Sequence, residues 1–173
     1  EEGVTRHAYC LIPQGATLML TAPHAEATGR VVQNINRHIS SVLRAHNPHG
    51  QGQLWEARFK STVVQPGLHS LKACLYVDTW AERVLYSPNL AAYTWSSFAA
   101  HAGVVNEPWL ADLPAYWALG NTPFDRQSRY RQLAEHGLGQ REQVDLEQAI
   151  HKGWLWSDEP FALQAQALAN RPI

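Results

Sequence analysis

The chain has 173 residues, 45% of them hydrophobic and 17% charged, with a formal net charge of −1. That composition excludes a disordered or low-complexity protein and suits one core, or one core with an appendix. Near-neutral charge gives no bulk attraction for nucleic acid, so such a role would have to rest on local basic patches. No apolar run approaches the roughly 20 residues of a membrane span, and no signal segment is visible. The two cysteines, Cys10 and Cys74, have no framework spacing and read as free buried thiols of a cytoplasmic protein. The seven tryptophans call for packing partners or a ligand surface.

Val4 to Ile12 reads as a strand, Pro13 to Gly15 as a turn, and Thr17 to Thr21 as the return strand. Thr28 is placed to cap a helix running to about Ala45. Its apolar positions Val31, Val32, Ile35, Ile39, Val42 and Leu43 fall on one face, which should pack on the sheet. Arg30, Arg37 and Arg44 recur at seven-residue spacing, near one another on that helix. Asn47 to Gln53 is rich in turn formers. Leu54 to Val64 alternates and is β-branched at its end, so a strand is expected there. Pro66-Gly67 ends it. A long helix should follow from about Leu68 to Leu85, stopped by Ser87-Pro88-Asn89, and Leu90 to Ala100 reads as a short helix or turn. Beyond His101, loops rich in Pro and Gly precede three helices, about Pro123 to His136, Gln140 to Lys152 and Glu159 to Ala169. Ser157-Asp158-Glu159-Pro160 signals the start of the last. The coarse picture is α+β: an antiparallel sheet with helices packed on it over residues 1–100, then a helical region over 101–173.

Several ordered segments resemble one family. Arg6-His7-Ala8-Tyr9-Cys10-Leu11-Ile12-Pro13, followed by Leu18-Met19-Leu20-Thr21, is similar to its His-Ala-Tyr-Val-Leu-Met-Pro-Asn-His-Val-His-Leu-Leu segment. Gly52-Gln53-Leu54-Trp55-Glu56-Ala57-Arg58-Phe59-Lys60 resembles Gly-x-Leu-Trp-Glu-Gly-Arg-Phe-Lys. Tyr76-Val77-Asp78 resembles the start of Tyr-Ile-Glu-x-Asn-Pro-Val-Arg-Ala-Gly. Tyr93-Thr94-Trp95-Ser96-Ser97 matches Tyr-x-Trp-Ser-Ser. Tyr130-Arg131-Gln132-Leu133 and the run Gly153 to Phe161 match the family's tail. The family is that of the REP-associated tyrosine transposases, single-strand transposases with a His-hydrophobe-His metal motif. The resemblance implies a ferredoxin-like core with a helical tail. It also places a strand and a helix ahead of position 1, so a sheet edge is expected to lack its usual neighbour.

The resemblance implies a specific chemistry. A tyrosine hydroxyl attacks a DNA phosphodiester while a divalent ion, held by two histidines and a polar residue on the tyrosine helix, polarises the phosphate. Tyr76 occupies the nucleophile position. Tyrosine, with a pKa near 10, is a poor nucleophile at neutral pH, so the ion matters. The ligand positions have all changed: the two histidines correspond to Gly15 and Thr17, and the polar residue to Trp80. Glycine has no ligand atom, a threonine hydroxyl is a poor partner, and tryptophan adds bulk. Losing about 4 to 7 kcal/mol of transition-state stabilisation slows a reaction about a thousandfold to a hundred-thousandfold. No cofactor is therefore expected; Mg or Mn would return only with a rebuilt site.

Binding can outlive chemistry. Arg58, Lys60 and Arg37 are the candidate phosphate contacts, with single-stranded or hairpin DNA, or RNA, as the expected partner. His46 and His49 flank Pro48, but two imidazoles without a nearby carboxylate or thiol make a thin metal site. No Gly-rich phosphate loop and no Ser/His/Asp signature occurs. Two alternatives stand beside a non-cleaving DNA-binding protein: a regulatory module using the old cleft for a small molecule or partner protein, and an active transposase with a rebuilt site.

Overall fold

Two strands form an antiparallel hairpin, β1 over Thr5–Ile12 and β2 over Gly15–Thr21. Pro13 and Gln14 make the turn, so β2 begins two residues earlier than the apolar run suggested. Ile12 pairs with Gly15, Cys10 with Thr17 and Ala8 with Met19, and the register shifts between Arg6 and Ala8. Directly paired residues share a face. Ala8 and Cys10 are fully buried, so this is the inner face, and Gly15, Thr17 and Met19 lie on it. This computed structural model describes residues 3–46, 54–55 and 58–169.

The outer edge of β1 is closed by irregular chain. Leu11 N–H donates to Trp95 O (2.8 Å), Ser97 N–H to Tyr9 O (2.9 Å) and Ala111 N–H to Arg6 O (2.9 Å). The expected strand over Leu54 to Val64 does not form among the described residues. Only Val64 makes a β-bridge there, parallel to Trp156. The stretch alternates as a strand should, but β1 has no edge left for it.

Helix α1 spans Ala25–His46, 22 residues, and starts three residues before the expected Thr28 cap. Ala27 N–H donates to His24 O (3.1 Å), and Glu26 places negative charge in the first turn, where the helix dipole favours it. Thr28 is therefore inside the helix. The apolar stripe is present, but Ala27 is the buried residue of α1, and Ile35, Val42 and Leu43 are exposed. The expected packing of this face on the sheet is not seen; a two-stranded hairpin is too narrow to cover such a stripe.

The long helix expected over Leu68 to Leu85 is broken. Helix α2 is Leu68–Asp78 and α3 is Trp80–Arg83. Thr79 sits between them, its hydroxyl donating to Leu75 O at 2.7 Å. A side chain that bonds back to the preceding turn loosens a helix, and Arg83 Nη1 also donates to Thr79 Oγ1 (2.7 Å). A 3₁₀ turn at Leu90–Ala92 and short helices α4 (Phe98–His101) and α5 (Pro114–Trp117) follow.

The last three helices fall where the sequence placed them: α6 at Pro123–His136, α7 at Gln140–Lys152 and α8 at Glu159–Ala169. Thr122 and Asp125 cap α6 reciprocally, with Pro123 at its first position. Gly137 ends α6 at φ 66, where a residue with a side chain would be strained. Replacing Thr122 by Ala should lower stability by about 1 kcal/mol, read as a shift in the urea midpoint at unchanged slope.

One buried cluster joins both parts of the chain. Ala8 and Cys10 of β1 meet Leu71, Cys74, Leu75 and Val77 of α2, then Phe98, Tyr116, Tyr130 and Ala134. A second cluster packs Ala73 of α2 against Leu146 and Ala149 of α7 and Trp156, with Met19 and Tyr76 at its margin. Helix α2 is thus the central element, buried on most sides. Among the described residues, no helix is long and apolar enough to cross a membrane.

Candidate functional site

Helix α2 carries Tyr76, and Trp80 follows four residues later, at the start of α3. Trp80, Ile12 and Met19 all pack at the margin of the first buried cluster, and Tyr76 and Met19 at the margin of the second. A β-carbon placed on Gly15 would lie 3.4 Å from Trp80 Cη2. The indole edge therefore rests directly on the glycine backbone. Thr17 lies on the same face, two residues along β2. The indole of Trp80 fills the space beside Gly15, with Thr17 further along the same strand face and Tyr76 one turn before Trp80.

The Tyr76 hydroxyl is committed elsewhere. It donates to Glu147 Oε1 of α7 at 3.1 Å. The Arg83 guanidinium lies over the Tyr76 ring, 3.8 Å from its centre, and donates to the Tyr76 carbonyl. Burial pushes the hydroxyl's pKa above its ordinary value; Arg83 pulls it down, and the Glu147 carboxylate pushes it up again. The net direction is up, which makes Tyr76 a weaker nucleophile than free tyrosine at neutral pH. Burial also lowers the pKa of Arg83, whose buried Nη2 has no hydrogen-bond partner among the described residues. Replacing Tyr76 by Phe removes one half-exposed hydrogen bond. It should cost no more than about 1 kcal/mol in denaturant unfolding and leave the hairpin in place.

The basic candidates lie on the surface. Arg37 on α1 is exposed, as are Arg58 and Lys60. Arg58 lies 5.7 Å from the Phe59 ring centre. Lys60 Nζ donates to His151 Nδ1 at 2.6 Å, at the end of α7. Trp55 Nε1 donates to Ser40 Oγ (3.3 Å), which ties the stretch before Arg58 to α1 one turn beyond Arg37. Trp55 is half-buried, a packing role rather than a free stacking platform. The turn-rich segment Asn47 to Gln53, with His49, and the motif residues Glu56 and Ala57 lie outside the described residues. His7 is taken by structure: its ring nitrogens contact Ala111 O (2.7 Å) and Thr21 Oγ1 (2.8 Å).

Sequence reasoning missed a fully buried carboxylate. Asp78, two residues past Tyr76, is 0% exposed. Its Oδ2 accepts from Tyr130 OH at 2.7 Å and lies 2.7 Å from His101 Nδ1, while Ser97 donates to Oδ1. Ser96 donates to the Asp78 carbonyl (3.0 Å). The Ser-Ser pair of the Tyr-x-Trp-Ser-Ser segment thus anchors the Tyr76 helix, and only the proximity of Asp78 to Tyr76 in a motif hinted at it. Burial disfavours charge on His101, but the Cys74 sulfur and the Asp78 carboxylate outweigh it and hold the imidazole pKa well above its ordinary value. Beside His101 opens a cavity of about 550 Å³, lined by Glu107, Asp112, Tyr116 and Arg126 among others.

No protein-family model, no curated protein and no solved structure matches this chain.

Proposed function

We propose that this chain is a single-strand nucleic-acid-binding protein, built on the plan of the REP-associated tyrosine transposases and stripped of strand cleavage. On this reading the hairpin and α2 are what remains visible of a ferredoxin-like transposase core. The observation that carries it is Trp80 Cη2 standing 3.4 Å from where a Gly15 β-carbon would be, one turn beyond Tyr76. A bulky apolar ring occupies the place where the resembled family would hold an ion, and the tyrosine proton is shared with a carboxylate. Neither change touches the exposed Arg37, Arg58 and Lys60. Fluorescence anisotropy with labelled hairpin single-stranded DNA tests it across a salt series. The expected result is binding that weakens steadily with salt; the absence of any salt-dependent binding overturns it.

A second reading, a module for a small molecule, has one observation in its favour. Arg126 and Glu107 line the cavity beside His101, and their Nε and Oε2 atoms are buried without hydrogen-bond partners among the described residues. A zwitterion would offer an anion to the first and a cation to the second. A thermal-shift screen of amino acids and nucleotides distinguishes the two readings, because only this one expects stabilisation that Arg126→Lys abolishes.

A further inference from the structure

Behind Tyr76, α2 presents Cys74 and Asp78 one turn apart on a buried face. Helix α4 adds His101 and α6 adds Tyr130. The Cys74 sulfur, one Asp78 oxygen and a His101 nitrogen all lie within 4.8 Å of one another. The donor atoms form a closed ring: Sγ to Tyr130 OH 3.3 Å, that hydroxyl to Asp78 Oδ2 2.7 Å, Oδ2 to His101 Nδ1 2.7 Å, and Nδ1 to Sγ 4.0 Å. The same nitrogen faces both the carboxylate and the sulfur, and a single N–H serves only one of them well.

We propose that Cys74, Asp78 and His101 form a structural zinc site, with the Tyr130 hydroxyl oxygen at hand for the fourth position. One sulfur, one nitrogen and one carboxylate oxygen match the donor preferences of Zn²⁺, and a thiolate selects against Mg²⁺ and Ca²⁺. Tetrahedral bonds of about 2.0–2.3 Å place donor atoms about 3.3–3.6 Å apart, so the two 2.7 Å edges would open by about 0.6 Å and the 4.0 Å edge would close by about 0.4 Å, shifts that side-chain rotation can supply. Ser97 on the other Asp78 oxygen already fixes the carboxylate from behind.

The charge balance suits the ion. With Zn²⁺ bonded to the Asp78 carboxylate, the Cys74 thiolate and a neutral His101 imidazole, any proton on the donor atoms having left to solvent, the charges sum to zero, so the loaded site buries no uncompensated charge. His101 also lines the open cavity of about 550 Å³. The site would pin α2 to α4 and α6, and it stands independently of the nucleic-acid reading.

The test uses untagged full-length protein, stripped with a chelator and titrated with Co²⁺ as a spectroscopic probe. The expected result is one equivalent bound, with a thiolate-to-cobalt charge-transfer band and the visible bands of a four-coordinate ion. Zn²⁺ should displace the cobalt with a dissociation constant below about 1 µM and raise the melting temperature. Cys74→Ser should lose the charge-transfer band, and Cys10→Ser should keep it. No band and no Zn²⁺-dependent rise in melting temperature would overturn the proposal, as would a band that survives Cys74→Ser. Should Cys74→Ser fail to fold by circular dichroism, the presence or absence of the band in the unmodified protein, together with its retention in Cys10→Ser, decides the matter.

Discussion

Replacing Asp78 by Ala should cost about 3–5 kcal/mol of stability, enough to unfold much of the population of an ordinary domain. The carboxylate is 0% exposed and is surrounded by Ser97, His101 and Tyr130. Its removal leaves these polar groups buried without their acceptor, and strips His101 of its counter-charge. The methyl group that replaces it also leaves a void between α2, α4 and α6. Asp78→Asn keeps an acceptor and the volume but loses the charge, so it should cost less, about 1–3 kcal/mol. Urea unfolding with chelator present, followed by tryptophan fluorescence, separates these from any contribution of bound metal. A loss under about 0.5 kcal/mol for Asp78→Ala would show that the network does not hold the helices together.

The second large effect concerns binding. The triple variant Arg37→Ala, Arg58→Ala, Lys60→Ala should weaken hairpin DNA binding on the order of a hundredfold at low salt, and flatten the slope of log affinity against log salt by about 2. Each cation that neutralises a phosphate of single-stranded DNA contributes about 0.7 to that slope. All three side chains are exposed, so their loss leaves the core untouched, and the Trp55–Ser40 hydrogen bond keeps the Arg58 stretch beside the helix that bears Arg37. Melting temperature should change little, which separates lost contact from lost fold. An unchanged slope would mean that the nucleic acid, if bound, lies on another face.

Local chemistry made much of the fold legible. Thr122, Pro123 and Asp125 announce α6, and Gly153 and the Asp158 segment punctuate α7 and α8 within a few residues. Signals that depend on a partner elsewhere failed. Leu54 to Val64 has the right alternation for a strand, yet residues 95–97 and 111 already occupy the edge of β1. The break at Thr79 depends on a hydroxyl turned back to Leu75, and helical periodicity runs straight through it. The site divides in the same way. Gly15 and Trp80 are linked in the sequence only through the resemblance, while in the structure a β-carbon on Gly15 would meet the Trp80 indole. Cys74, Asp78, His101 and Tyr130 are spread over more than fifty positions, and no spacing rule joins a residue on α2 to one on α6. Glu147, which accepts the Tyr76 hydrogen bond, is likewise an ordinary helix glutamate until α7 packs on α2.

The central claim, binding without cleavage, is tested most directly by incubating labelled hairpin single-stranded DNA with the protein, with and without Mn²⁺, and running the products on native and denaturing gels. The expected result is a mobility shift on the native gel and no covalent protein–DNA species on the denaturing gel, with or without the ion. A Mn²⁺-dependent adduct that disappears in Tyr76→Phe would contradict the account, because it would mean that Trp80 and Gly15 leave room for a working metal site.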